Sequence, residues 1–240
     1  MGRKISMVTI TQIRLSKSNC YLIEGEGYIL IDTGCQNESK KIISALEKKG
    51  LKLSDLSLIL HTHGHDDHCG STAEILKIRK IPTAIHQADS HMVERGYSDP
   101  TIKMRLMSKI LKPFVGKPFF PFKPDIYISE YESLEQFGVK GEIVYTPGHT
   151  NGSISINFDN KEMVIGDLLM GGFLGKFFRK QPDYHYFASN IEDLNQSIKK
   201  VLDLNVVKYY VGHGGPLDKN RVEKWFDKVT VGTNSTSFAK

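Results

Sequence analysis

Between Leu60 and Gly70 the chain reads LHTHGHDDHCG, and His63, His65, Asp67 and His68 form the pattern H-x-H-x-D-H. Four side chains able to ligate a metal within six positions exceed anything core packing requires. In an extended segment, residues two apart point to the same side, so His63 and His65 can grip one cation together. Asp67 and His68 are adjacent and diverge, which suits them to a second cation. Imidazole and carboxylate favour zinc, iron or manganese. Ionisable groups this dense repel one another unless a cation offsets them, so the stretch reads as a metal site.

Four more residues stand where such a site needs support. His149 follows Thr146-Pro147-Gly148, Asp167 follows Gly166, and His213 lies between Gly212 and Gly214. Each closes a short apolar run, and glycine clears the approach. Asp32 closes YILID just before Thr33-Gly34. Any one alone is an ordinary turn residue; together they suggest one convergent centre.

The elements that must position these groups follow from pattern. SMVTITQIRL, NCYLIEG and YILIDTG read as an antiparallel meander, β-branched and punctuated by glycine. Residues 37–49 read as a helix stopped by Gly50. LSLIL (56–60) is a buried strand that delivers the chain into the histidine cluster, where open α/β sheets place ligands. Helices are expected at 70–80, after Gln87, and from Pro100 to Phe114 with Ile102, Leu106, Ile110 and Leu111 on one face. Three prolines in VGKPFFPFKPD exclude regular structure there. Strands return in IYISE, SLEQFG, EIVYTPGHT, SISINF and EMVIGD. A long loop, LLMGGFLGKFFRKQPDYHYFAS, then precedes a helix from Ile191 to Leu202 capped by Asn190. VVKYYVGHGG is the last strand, and a final helix surrounds Trp225.

ILIDTG, THGHDDH, TPGHTNGS, the Gly166-Asp167 pair and GHGGP, in this order from about residue 18 to residue 216, resemble the metallo-β-lactamase-fold hydrolases. The resemblance implies an α/β fold, an αββα four-layer sandwich of two mixed β-sheets flanked by helices. It implies a centre of two divalent metal ions, zinc foremost with iron or manganese as alternatives. His63, His65 and His149 would hold the first and Asp67, His68 and His213 the second, with Asp167 bridging. Asp32 then resembles an outer residue that fixes the histidine loop. The implied activity is hydrolysis of an ester, thioester or lactone by a metal-bound hydroxide, with Asp67 also taking a proton. A persulfide dioxygenase-like iron enzyme and a phosphodiesterase or nuclease are the alternatives. Glyoxalase II-like and lactonase-like branches fit best. Only 27 residues follow His213, which disfavours a glutathione-binding C-terminal domain. In the late loop, Tyr184 or Tyr186 is expected to donate a hydrogen bond to the developing oxyanion, and the phenylalanines here and at 114–122 to line an acyl pocket. His61 reads as structural, and His86, His91 and His185 have no visible partner.

Composition narrows the setting. The 240 residues are 40% hydrophobic and 25% charged, ordinary for a globular chain. One domain over 1–240 is expected, with 87–125 and 168–190 as substrate-side loops and 231–240 as a flexible tail. The net charge of +5 is spread out; beyond Lys176, Arg179 and Lys180 no basic cluster supports nucleic-acid binding. Three cysteines make no disulfide framework. The opening MGRKISMVTI lacks the apolar core of a secretion signal, and no run nears the ~20 apolar residues that span a bilayer. A cytoplasmic enzyme acting on a small molecule is expected, free to form a homo-oligomer.

Overall fold

In the computed structural model, residues 7–99, 102–103, 116–173 and 177–234 are described. A six-stranded sheet contains β1 (Thr9–Arg14), β2 (Asn19–Glu24), β3 (Tyr28–Ile31), β4 (Leu56–Leu60), β5 (Thr83–His86) and β7 (Ile126–Ile128), in the order β1-β2-β3-β4-β5-β7. Its first three strands are antiparallel and the rest parallel. A five-stranded sheet holds β8 (Gly141–Tyr145), β9 (Ile154–Phe158), β10 (Glu162–Gly166), β14 (Lys208–Val211) and β15 (Leu217–Asp218), in the order β15-β14-β10-β9-β8. Only β10 and β14 pair in parallel there.

The apolar runs are continuous because both faces of these strands are covered. On β2 and β3, Tyr21, Ile23, Ile29 and Ile31 turn inward against Ile143, Ile154, Ile156 and Val164 of the other sheet. Their neighbours Cys20, Leu22 and Leu30 turn outward onto α1 (Ser39–Glu47) and α3 (Thr72–Ile78), meeting Ile42, Leu46 and Ile75. On β10, Val164 faces in, while Met163 and Ile165 face α5 (Ile191–Leu202) and α6 (Lys219–Asn234) through Leu194, Ile198, Val201 and Val222. Period-two alternation thus builds four layers, helix–sheet–sheet–helix.

Several expectations change. SLEQFG is not a strand: Glu135–Phe137 is a 3₁₀ turn ended by left-handed Gly138. The loop after Asp167 contains a hairpin, β11 (Met170–Phe173) with β12 (Phe177–Asp183), followed by β13 (Phe187–Ala188), which pairs with β6 (Ile102–Lys103). The rest of the expected helix over 100–114 lies outside the described residues. Phe119 and Phe122 are buried with Ile85 and Val93 and do not line an open pocket. Helix α6 runs to Asn234, into the expected tail. Asn190 caps α5, its Oδ1 accepting from the Glu192 and Asp193 N–H groups. Among the described residues no helix is long and apolar enough to cross a membrane.

Candidate metal centre

The C-terminal ends of β3, β4, β10 and β14 meet at one edge of the sandwich. Asp32, just past β3, adopts φ 61°. Its Oδ1 accepts from the Thr62 N–H and its Oδ2 from Thr62 Oγ1, both at 2.8 Å. Oδ2 also accepts from His68 Nδ1 at 2.8 Å. Thr62 Oγ1, its proton spent on Asp32, accepts from His63 Nδ1 at 3.0 Å. Both rings therefore carry the proton on Nδ1 and turn a bare Nε2 inward. The carbonyl of Phe187 does the same for His149 (2.9 Å), and that of Lys17 for His213 (2.9 Å). Such outer hydrogen bonds fix the orientation and basicity of ligating imidazoles.

The inward nitrogens converge. His65 Nδ1 lies 3.1 Å from His63 Nε2 and 3.0 Å from His149 Nε2. Ligands roughly 2.0–2.1 Å from a common cation stand about 3.0–3.4 Å apart, so this is the edge of a coordination shell. Asp67, His68 and His213 form the second group, with His213 Nε2 3.5 Å from Asp67 Oδ2. Asp167 lies between: Oδ1 is 3.4 Å from His68 Nε2, while Oδ2 is 3.4 Å from His149 Nε2 and 3.2 Å from His213 Nε2. Three buried atoms here, His68 Nε2, Asp167 Oδ1 and His213 Nε2, have no hydrogen-bond partner. Buried polar atoms without partners are costly; facing one another in this way, they fit divalent cations.

Electrostatics agree. Burial holds the His63 and His149 imidazoles below their ordinary range, neutral and available as ligands. Burial also opposes charging of His68, but Asp167 and Asp32 outweigh it and raise that pKa, so a cation bound at Nε2 would have to displace a second proton that the two carboxylates favour. Burial acts to raise Asp167, and His213, His68 and His185 overcome it to keep the carboxylate ionised. Space is equally constrained: a Cβ on Gly212 would collide with Asp167 Oδ1 and the His68 ring.

A family model described as the metallo-beta-lactamase superfamily matches residues 13–213. The chain belongs to this superfamily. The probable metallo-hydrolase MJ0888 of Methanocaldococcus jannaschii is 32% identical over 198 residues, spanning 82% of this chain and 87% of that protein. The hydroxyacylglutathione hydrolase GloC of Haemophilus influenzae is 28% identical over 214 residues, 86% of this chain and 90% of its own length. BJP-1, a subclass B3 metallo-beta-lactamase of Bradyrhizobium japonicum, shares the fold, with a TM-score of 0.66, 21% identity and coverage of 95% and 90% of the two chains. The di-iron-bound form of TTHA1623 gives 0.64 at 25% identity, covering 90% of this chain and 97% of that one.

Within this superfamily member's metal-binding cluster the late loop behaves unexpectedly. Tyr184 is turned away: its hydroxyl donates to Asn195 Oδ1 at 2.7 Å and its ring packs edge-on against Trp225. An oxyanion-donor role for Tyr184 therefore conflicts with its packing between α5 and α6. Tyr186 is buried with Met170 and Phe187. The residue between them, His185, enters the cluster, grouped with His149 and Asp167. His61 stays outside, bonded to Thr72 Oγ1 at 3.1 Å. Asp89, on α4 (Gln87–Arg95), was not singled out by sequence. Fully buried, it accepts from the Gly64 N–H (2.9 Å), the Gly152 N–H (2.7 Å) and Thr150 Oγ1 (2.7 Å). It bolts the His63–His68 loop to the His149 loop. A lone helical Asp carries no sequence signal for such a task.

Proposed function

We propose that the chain is a binuclear metal-dependent hydrolase of a carboxylic ester, thioester or lactone, with zinc as its native metal. The observation that carries this reading is Asp167, whose two oxygens face nitrogens from both ligand groups. His63, His65 and His149 would hold one cation, Asp67, His68 and His213 the other, and Asp167 both. When bound, such a pair activates water near neutral pH and polarises a carbonyl oxygen. Asp32, Thr62 and the Lys17 and Phe187 carbonyls keep the ligand nitrogens bare and aimed. Asp67, kept ionised because His68 and His213 outweigh its burial, can receive a proton at its carboxylate. The β11–β12 hairpin begins three residues past Asp167 and is tied to the His213 segment through the Gly171 N–H on the His213 carbonyl (2.7 Å), so it would serve as one wall of the substrate site.

Thioesters head the substrate classes. The expectation against a glutathione thioester rests only on the few residues after His213. The relative named hydroxyacylglutathione hydrolase is itself matched over 90% of its length, so that argument loses its force. Elemental analysis and a screen of acyl-glutathione thioesters, lactones, esters, β-lactams and phosphodiesters test the proposal. Two transition-metal ions per chain with metal-dependent thioester or lactone cleavage are expected. One ion per chain, unchanged by added zinc, would refute the binuclear reading.

A further inference from the structure

His185 has no part in the reading above, yet its environment duplicates that of His149. Its Nε2 lies 3.4 Å from Asp167 Oδ2, the separation His149 Nε2 has from that same oxygen. Its Nδ1 lies 3.2 Å from the Phe187 carbonyl oxygen, which also accepts from His149 Nδ1. One backbone carbonyl thereby orients two imidazoles toward one carboxylate oxygen. The rings stand perpendicular with centroids 4.6 Å apart, and the His185 ring is also 5.2 Å from that of His213. With the proton on Nδ1, Nε2 presents only a lone pair. A lone pair aimed at a buried carboxylate oxygen repels it unless a cation lies between them. Donation of the distal N–H to a backbone carbonyl is the usual support of a ligating histidine. The opposite tautomer, in which Nδ1 accepts from the Phe187 N–H at 3.3 Å, would make His185 a hydrogen-bond donor to Asp167.

We infer that His185 is a further metal ligand, joined to the cation held by His149 and Asp167, so that the segment after the β11–β12 hairpin is anchored to the metal. This rests on the metal reading above. It changes what the late loop is: a segment tied to the centre by coordination, beyond any contact with substrate.

The test uses the full chain loaded with zinc or cobalt(II) alone. In the zinc form, long-range ¹H–¹⁵N spectra of ¹⁵N-histidine-labelled protein are expected to show His185 protonated on Nδ1, with Nε2 at a zinc-bound shift. In the cobalt form, His185→Gln is expected to lose one paramagnetically shifted, exchangeable imidazole N–H. Chelator competition should show about tenfold or greater loss of affinity for one cation, with an unchanged far-ultraviolet spectrum. An Nε2–H tautomer in the wild-type zinc form would overturn the inference without any variant. So would wild-type resonance number and affinity in His185→Gln, even if turnover fell. Wild-type protein that binds neither metal would sink the underlying metal reading as well.

Discussion

His63, His65, Asp67 and His68 leave the end of one strand within six residues, whereas His149, Asp167 and His213 arrive singly from the ends of β8, β10 and β14. The first group shares one support, since Asp32 and Thr62 between them orient both His63 and His68. The second has no common support. His149 leans on Phe187, His213 on Lys17, and Asp167 is kept in place by the space Gly212 leaves open. A contiguous loop can be prearranged locally. Dispersed ligands depend on the whole sandwich being closed, and on whatever joins the halves.

Removing the shared ligand should damage both groups at once. Asp167→Ala is expected to lower turnover of the best substrate about 10³-fold or more and to cut metal content below two per chain. Near-normal metal content and turnover would show the halves to be independent. Next comes the bolt. Asp89→Ala leaves two buried N–H groups without their acceptor, each worth about 1–3 kcal/mol, while the Thr150 hydroxyl keeps Ser153 Oγ at 2.7 Å as a partner. A melting temperature lower by about 6–12 °C is expected for a loss near 3 kcal/mol. Activity should fall too, because the His63–His68 and His149 loops lose their common tie. Unchanged melting of the metal-loaded form would mean the metals alone join the halves. The smallest effect is expected from Tyr184→Phe, which deletes one hydrogen bond to Asn195, made by a hydroxyl turned toward α5 and Trp225. Stability should drop by about 1 kcal/mol with kcat and KM unchanged. A large fall in kcat alone would return the tyrosine to the chemistry.

The same contrast explains what the sequence discloses. H-x-H-x-D-H is legible because its residues are neighbours, and period-two burial makes β2, β3 and β4 legible as strands. His149, Asp167 and His213 are individually ordinary and become visible only through the order of several motifs. His185 was beyond reach because its partners, His149 and Asp167, lie 36 and 18 residues away and no spacing rule joins them. Asp89 was hidden for the same reason. Strand β12 (Phe177–Asp183) is not legible in the sequence because FFRKQPD has no apolar alternation and contains Pro182. That fits its mostly exposed position outside the two main sheets, with Phe177 and Phe178 61% and 73% exposed. SLEQFG misled in the other direction, since spaced apolar residues imitate a strand when Gly138 is not seen to be left-handed.

The tie between the chain's two ends bears on how the molecule is made. Asn19 and Tyr21 on β2 donate to the Val211 carbonyl across 192 and 190 residues, and His213 donates to Lys17 across 196. During synthesis the first sheet and its histidine loop can emerge long before β14 exists to meet them. Contacts of such sequence separation are entropically expensive to close and slow folding. The nascent chain therefore carries Asp67 and His68 as an incomplete chelate until β14 docks and brings His213. The cation of the His63, His65 and His149 group needs no residue from β14 onward, whereas capture of the one held by Asp67, His68 and His213 should trail the docking of β14.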